Sequence, residues 1–268
     1  LIQELPCGDR RLPLDRVAVM GVLNLTPDSF SDGGDLLSDG GRIDADALLR
    51  RAEAMVEEGA SILDLGAEST RPGAVPVSVA VECERIVAAL ELLAPRFDVV
   101  LSVDSSAPEV FAAAAAAGAG LLNDVRALCR PGALEAAAAT QLPVCLMHMQ
   151  GEPGTMQDAP AYENVLEEVA AFLRERLEAA RGAGIGQERL LVDPGFGFGK
   201  TLAHNCELLR GLEGLAELGV PLLVGLSRKR MIGALTGREV GERVAGSIAA
   251  AALAVRAGAR IVRTHDVA

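Results

Sequence analysis

Leu190-Leu191-Val192-Asp193-Pro194-Gly195-Phe196-Gly197-Phe198-Gly199-Lys200 is a short apolar run that ends in a carboxylate and a glycine-rich loop. The length and β-branched content of its first three residues predict a strand covered on both faces, and Pro194-Gly195 stops it. Asp193 then sits at the C-terminal end of a buried strand. The Gly-Lys-Thr that closes the stretch suggests a phosphate-binding loop, but that motif needs a glycine five residues before Gly199, where Pro194 stands. The alternating glycines do not make a dinucleotide loop either, because their spacing is G-x-G-x-G and no acidic partner follows at the required distance. A plain strand-to-helix turn is the simplest alternative, and it loses weight if other strand ends look the same.

They do. An apolar run over 17–23 ends at Asn24 and a polar, turn-rich stretch from Thr26 to Gly34. That loop, about seventeen residues, is long beside the usual ~4–6 and marks a functional or disordered segment. A helix is predicted over 44–58 from the spacing of Ala47, Leu48, Ala52, Met55 and Val56, with Gly59 as its stop. A strand over 61–65 follows and opens into Gly66-Ala67-Glu68-Ser69-Thr70-Arg71-Pro72-Gly73. Further strands are predicted over 99–103, 120–122, 144–147, 222–226 and 261–262, and further helices over 79–93, 108–117, 131–139, 162–181, 205–218 and 241–257. Eight strands, each followed by a helix except the last, predict an α/β fold of the (β/α)8 TIM-barrel type, a single domain over 1–268 with the eighth helix absent from these residues. An open doubly wound sheet is the runner-up. It would gather its ligand groups at one switch point, whereas polar tips occur here at every strand end.

The 268 residues are 50% hydrophobic but only 3% aromatic, with no Trp, so the core must be built from Ala, Val, Leu and Ile. That composition suits layered α/β packing. Every apolar stretch is interrupted before the ~20 residues that span a bilayer, so no membrane segment is expected. The first sixteen residues carry Glu4, Asp9, Arg10, Arg11 and Asp15 and lack the apolar block of a signal peptide, which predicts a cytoplasmic protein. Five cysteines without a C-x-x-C pair read as reduced thiols, with no zinc site. A net charge of −12 argues against nucleic acid as a partner. Any anionic ligand would need a local basic cluster.

The strand tips supply one. Together they hold Asn24, Glu68-Thr70-Arg71, Asp104, Asn123, His148, Asp193, Arg228-Lys229-Arg230 and Arg263-His265. Asp104, Asn123 and Asp193 form an acceptor-rich set that needs donors such as the amidine-like edge of a heterocycle. Arg71, Lys229, Arg263 and His265 form a basic set suited to phosphate or carboxylate. One ligand with a donor-rich ring and an anionic tail satisfies both. Taken singly, Asn24 and Asn123 are as readily turn formers, His148 a structural rim residue, Cys145 a core residue, Arg228 a solvated charge and Glu68 an organiser of its own loop through backbone N–H groups.

The segments Asn24-Leu25-Thr26-Pro27-Asp28-Ser29-Phe30-Ser31-Asp32-Gly33-Gly34, Glu68-Ser69-Thr70-Arg71-Pro72-Gly73, Ser102-Val103-Asp104, Asn123-Asp124, Asp193 to Lys200, Ser227-Arg228-Lys229 and Arg263-Thr264-His265-Asp266 resemble, in this order, those of dihydropteroate synthase. The resemblance runs from about Val17 to the last residue. It implies a (β/α)8 barrel that joins 6-hydroxymethyl-7,8-dihydropterin diphosphate to 4-aminobenzoate in folate biosynthesis, by an SN1-like loss of diphosphate. It implies that Asp104, Asn123, Asp193 and Lys229 hold the pterin, with Met147, Phe198 and Arg263 against its ring. Asn24, Arg71, Arg263 and His265 would hold the diphosphate, Asn24 also ligating Mg2+ as cofactor. Thr70, Pro72, Phe30, Lys229 and Arg230 would form the aminobenzoate pocket once the loop containing Thr26, Pro27, Asp28 and Ser29 closes, so that the second substrate binds after the first. Arg230 departs from the family, which commonly has a small hydroxyl residue there; the Arg itself or a backbone N–H would take over its contact. Sulfonamides are the implied competitors; a homodimer is expected on separate grounds, because the missing eighth helix would leave apolar surface uncovered that the neighbouring helices could bury by pairing. The rival reading is a folate-dependent methyltransferase of the related pterin-binding barrels, which has no use for the basic set around a diphosphate.

Overall fold

The computed structural model describes residues 2–26, 36–38, 40–68, 77–152 and 154–268. The chain starts with an antiparallel hairpin, β1 (Glu4–Cys7) and β2 (Arg10–Pro13), in which Leu5 faces Leu12. Four-residue strands are too short to announce themselves by alternation. The predicted repeat then unfolds as β3 (Ala18–Asn24), α1 (Ala45–Glu57), β4 (Ile62–Gly66), α2 (Val79–Leu93), β5 (Val100–Asp104), α3 (Pro108–Ala116), β6 (Leu121–Asp124), α4 (Ala133–Thr140), β7 (Val144–Met147), α5 (Val165–Gly182) and β8 (Leu190–Asp193). It continues with α6 (Leu202–Arg210), β9 (Leu222–Gly225), α7 (Arg230–Thr236), α8 (Val244–Arg256) and β10 (Ala259–Thr264). The eight strands β10-β3-β4-β5-β6-β7-β8-β9 are parallel neighbours and close into a barrel, so the open sheet is excluded. No helix follows β10 among the described residues.

Two helical stretches differ from expectation. The predicted helix over 205–218 is α6 followed by a 3-10 turn over Leu212–Leu218, broken at Gly211. An added Cβ on Gly211 would run into Leu166 of α5, so close packing of the two segments forces the break. The predicted helix over 241–257 begins only at Val244, behind a 3-10 turn, and α7 precedes it unannounced. Gly237, at φ +69, ends α7 in the left-handed conformation, which glycine adopts without strain.

Register explains the barrel's interior. Met20, Ile62, Val100, Leu121, Cys145, Leu191, Leu223 and Ile261 pack into one cluster, and the hairpin residues Leu5, Cys7 and Leu12, with Leu14, join it from below. Strand side chains alternate faces, so the residue two positions further along each strand faces the same interior. Those residues are Val22, Asp64, Ser102, Asn123, Met147, Asp193, Gly225 and Arg263. One step along the chain converts a sealed apolar layer into a polar one. Asn24, Gly66, Asp104 and Asn123 then lie side by side at the rim.

Candidate active site

Arg263 of β10 lies at the middle of the polar layer. Its Nε donates to Asp64 Oδ2 at 2.6 Å and its Nη2 to Asp104 Oδ2 at 3.0 Å. Asn123 Nδ2 donates to the same Asp64 oxygen at 3.3 Å. Asp64 is fully buried, and its other oxygen, Oδ1, has no hydrogen-bond partner. Burial works against the Arg263 charge, but Asp64 and Asp104 outweigh it and hold the guanidinium protonated. Burial pushes Asp104 up to about 7, Arg263 countering and Asp64 adding to the rise. The arrangement is two carboxylates, one cation and an amide clustered at the C-terminal ends of the strands, the end at which barrels of this type hold their sites.

Asp64 was not among the predicted site residues. It stands inside the apolar run 61–65 rather than at its tip, and only the inward register, two residues after Ile62, exposes its role. A carboxylate inside an otherwise apolar strand is the signal that could have found it, since an unpaired buried charge is costly.

The opening stretch delivers Asp193 as predicted. It is buried, beside Met147 in the sheet, and its Oδ1 accepts from Gly195 N at 2.7 Å. Burial raises its pKa, while Lys229 and the Gly195 N–H pull it down. Gly195 is at φ +68, and an added Cβ would collide with the carbonyl of His148, so no other residue fits. Lys229 donates from Nζ to the carbonyl of Phe196 and lies 4.7 Å from the centre of the Phe198 ring. Burial lowers its pKa to about 8, Asp193 opposing the shift. Met147, Phe198, Lys229, Asp193, Asn123, Asp104 and Arg263, all expected to meet one ring, are thus near neighbours at one end of the barrel interior.

The anionic end is partly described. His265 meets Ser227 Oγ at two points, its backbone N–H donating at 3.2 Å and its Nδ1 lying 3.1 Å away, and its carbonyl accepts from Arg51. Asn24 ends β3 on the same rim, and Thr26 is buried just beyond it. Arg228 is no solvated charge: its guanidinium pairs with Asp266 at 2.9 and 2.5 Å, and this lowers the Asp266 pKa. Arg230 is exposed at the start of α7. Pro27, Asp28, Ser29, Phe30, Thr70, Arg71 and Pro72 lie outside the described residues. Glu68 pairs with guanidinium groups, Arg126 at 3.1 and 3.3 Å and Arg130 at 3.7 Å, while the rest of the loop it was read as organising, from Ser69 to Pro76, lies outside the described residues. Asp124 takes the backbone role, accepting from Arg126 N at 2.8 Å and Leu128 N at 2.7 Å.

A model of the pterin binding enzyme family matches residues 20–265, nearly the whole barrel. The dihydropteroate synthase of Escherichia coli strain K12 is 52% identical over 256 residues, covering 96% of this chain and 89% of the relative. The chain belongs to the dihydropteroate synthase family. A solved Xanthomonas albilineans dihydropteroate synthase with 4-aminobenzoic acid superposes at a TM-score of 0.91 with 52% identity, covering 100% of this chain and 94% of the other. A Yersinia pestis dihydropteroate synthase in a sulfonamide drug complex does so at 0.93 with 50% identity, covering 98% and 94%. Among the described residues, Asn24, Asp104, Asn123, Asp193 and Arg263 of these motifs lie at the C-terminal ends of barrel strands, and the methyltransferase alternative is not favoured.

Proposed function

We propose that this chain condenses 6-hydroxymethyl-7,8-dihydropterin diphosphate with 4-aminobenzoate to 7,8-dihydropteroate and diphosphate. The observation that carries this reading is the polar cluster itself: Asp64, Asp104, Asn123 and Asp193 gather at one end of the barrel interior, with Lys229 and Arg263 as its cations. A pterin presents an amino group and ring N–H groups along one edge and a carbonyl beside them. Asp193 and Asp104 accept from that edge, Asn123 both accepts and donates, and Lys229 donates to the carbonyl and ring-nitrogen side. Arg263 and Met147 flank the ring face. Nothing here is placed as a nucleophile. The C–O bond to diphosphate breaks with its electrons leaving on the diphosphate, and the arylamine lone pair forms the new C–N bond before losing its proton. The protein's part is positioning and stabilisation of separating charge.

Among the described residues no group of three His, Cys, Asp or Glu is placed to hold a metal ion. That fits Mg2+ held through one protein oxygen, Asn24, with the remaining positions filled by diphosphate oxygens and water. When bound it would neutralise charge on the leaving diphosphate. Arg71 and His265 would complete the anion site, Thr70, Pro72, Phe30 and Arg230 the aminobenzoate pocket, and Thr26 to Ser29 the closing loop. Sulfonamides would compete for that pocket. The Yersinia pestis relative with its sulfonamide supports this.

No helix among the described residues is long and apolar enough to cross a membrane, in keeping with a cytoplasmic enzyme. Ile248 and Leu253 of α8 are exposed, as are Leu235 of α7 and Val240 between the two helices, and exposed apolar side chains of this kind support a homodimer. Incubating the protein with both substrates and Mg2+ tests the reading. It predicts 7,8-dihydropteroate and diphosphate in equal amounts, with a sulfonamide raising the KM for 4-aminobenzoate alone; diphosphate release without pteroate would contradict it.

A further inference from the structure

Lys200 is the residue that suggested a phosphate loop, and it is only 3% exposed. Its Nζ donates to Gly195 O at 3.0 Å and Phe198 O at 3.1 Å, and lies 2.8 Å from His148 Nδ1. An ammonium has three N–H bonds and no acceptor, so three acceptors satisfy it fully and the His148 ring must offer a lone pair at Nδ1. Burial, with Lys200 second, keeps that ring neutral by lowering its pKa to about 3.

The tether closes on a loop every turn of which is bonded. Gly197 N donates to Asn205 Oδ1 at 2.7 Å, Tyr162 Oη donates to Gly199 O at 2.8 Å, and Asn205 Nδ2 donates to Lys200 O at 3.2 Å. The two groups this loop presents to the polar cluster are the Gly195 N–H, which fixes Asp193, and the Phe196 carbonyl, which fixes Lys229. Lys200 is bonded to the carbonyl of Gly195 and to that of Phe198, two residues after Phe196.

We propose that Lys200, caged by Gly195 O, Phe198 O and His148 Nδ1, is a positioning residue for the pterin subsite, setting the loop shape that aims Asp193 and Lys229 at the ring. The inference rests on the function proposed above. It assigns the Lys of the Gly-Lys-Thr sequence a role as a buried hydrogen-bond donor in a backbone cage. Burial lowers its pKa to about 7, Asp193 opposing the shift. The charged and titratable groups facing Lys200 are Asp193 from β8, Lys229 from the start of α7, and His148 after β7.

Calorimetry with 6-hydroxymethyl-7,8-dihydropterin diphosphate and steady-state kinetics on both substrates test it. Lys200→Met should weaken binding of the pterin diphosphate about tenfold while the KM for 4-aminobenzoate moves less than about twofold. Tyr162→Phe, which frees the far end of the same loop, should lower thermal stability without this split. If Lys200→Met does not fold, His148→Phe decides: it keeps the ring's edge-on packing against Phe172 but removes the acceptor, and should weaken the same substrate about threefold. Unchanged pterin diphosphate affinity in a folded Lys200→Met, or in His148→Phe, overturns the proposal. Wild-type protein that binds no pterin diphosphate at all would instead overturn the function on which it rests.

Discussion

The two layers of the barrel interior lie one inward-facing residue apart on each strand and have opposite chemistry. The lower layer, from Met20 to Ile261, is apolar except for the thiol of Cys145 and is plugged by the β1–β2 hairpin. The upper layer contains Asp64, Asn123, Asp193 and Arg263, none of them at the protein surface in the ordinary sense. The lower layer stabilises the barrel by burying area, about 25 cal/mol per Å2. The upper layer spends part of that stability on groups that would be cheaper in water. The difference shows where function is held: the plugged end can repack without consequence for chemistry, whereas the rim end cannot lose a single charge without leaving its partner stranded.

Four changes break or sharpen this contrast. Arg263→Met strands the carboxylates of Asp64 and Asp104 and should cost about 3–5 kcal/mol of stability in chemical denaturation, with turnover abolished. The Asp104 pKa, already raised, should rise further without the guanidinium. A carboxyl with a raised folded-state pKa carries a penalty that grows from its unfolded pKa and is full above its folded one, so the part of the deficit due to Asp104 should shrink as pH falls toward about 7. Leu5→Ala, in the plug, should cost a similar ~2–5 kcal/mol by opening a cavity. Here kcat and both KM values should stay within about twofold, and a selective loss of pterin affinity would mean the layers are not separable.

Asp193→Asn offers a donor where the ligand also donates. Pterin diphosphate affinity should fall by about 2–4 kcal/mol by calorimetry, with a smaller effect on melting temperature; unchanged affinity would remove Asp193 from the site. The smallest effect is the pH profile of kcat/KM for the pterin substrate. Asp104 must be ionised to accept and Lys229 protonated to donate. Activity should therefore fall below about 7 and above about 8, by about tenfold per unit on each side. A flat profile from pH 6 to 9 would show that neither group titrates in the free enzyme.

The barrel was legible because a strand covered on both faces leaves a mark in one dimension: an apolar run that ends at a polar tip. Asp104, Asn123, Asp193 and Arg263 sit at such tips and were found. Asp64 sits inside its run, and facing inward is a property of register between strands, which a single strand does not display. Lys200 was noticed for its neighbours Gly199 and Thr201, but whether its ammonium meets phosphate or backbone carbonyls depends on His148, fifty-two residues away. The break at Gly211 reflects packing against Leu166, again a distant partner. Local pattern recovers elements and their ends; pairings across the barrel belong to the fold.

The central claim is that the polar layer and the basic rim act together on one ligand with a donor-rich ring and an anionic tail. Titrating 6-hydroxymethyl-7,8-dihydropterin diphosphate and, separately, methyltetrahydrofolate into the protein with Mg2+ tests it most directly. The account predicts one diphosphate ester bound per chain, lost in Asp193→Asn, and no saturable binding of methyltetrahydrofolate. Tighter binding of methyltetrahydrofolate than of the diphosphate would contradict it.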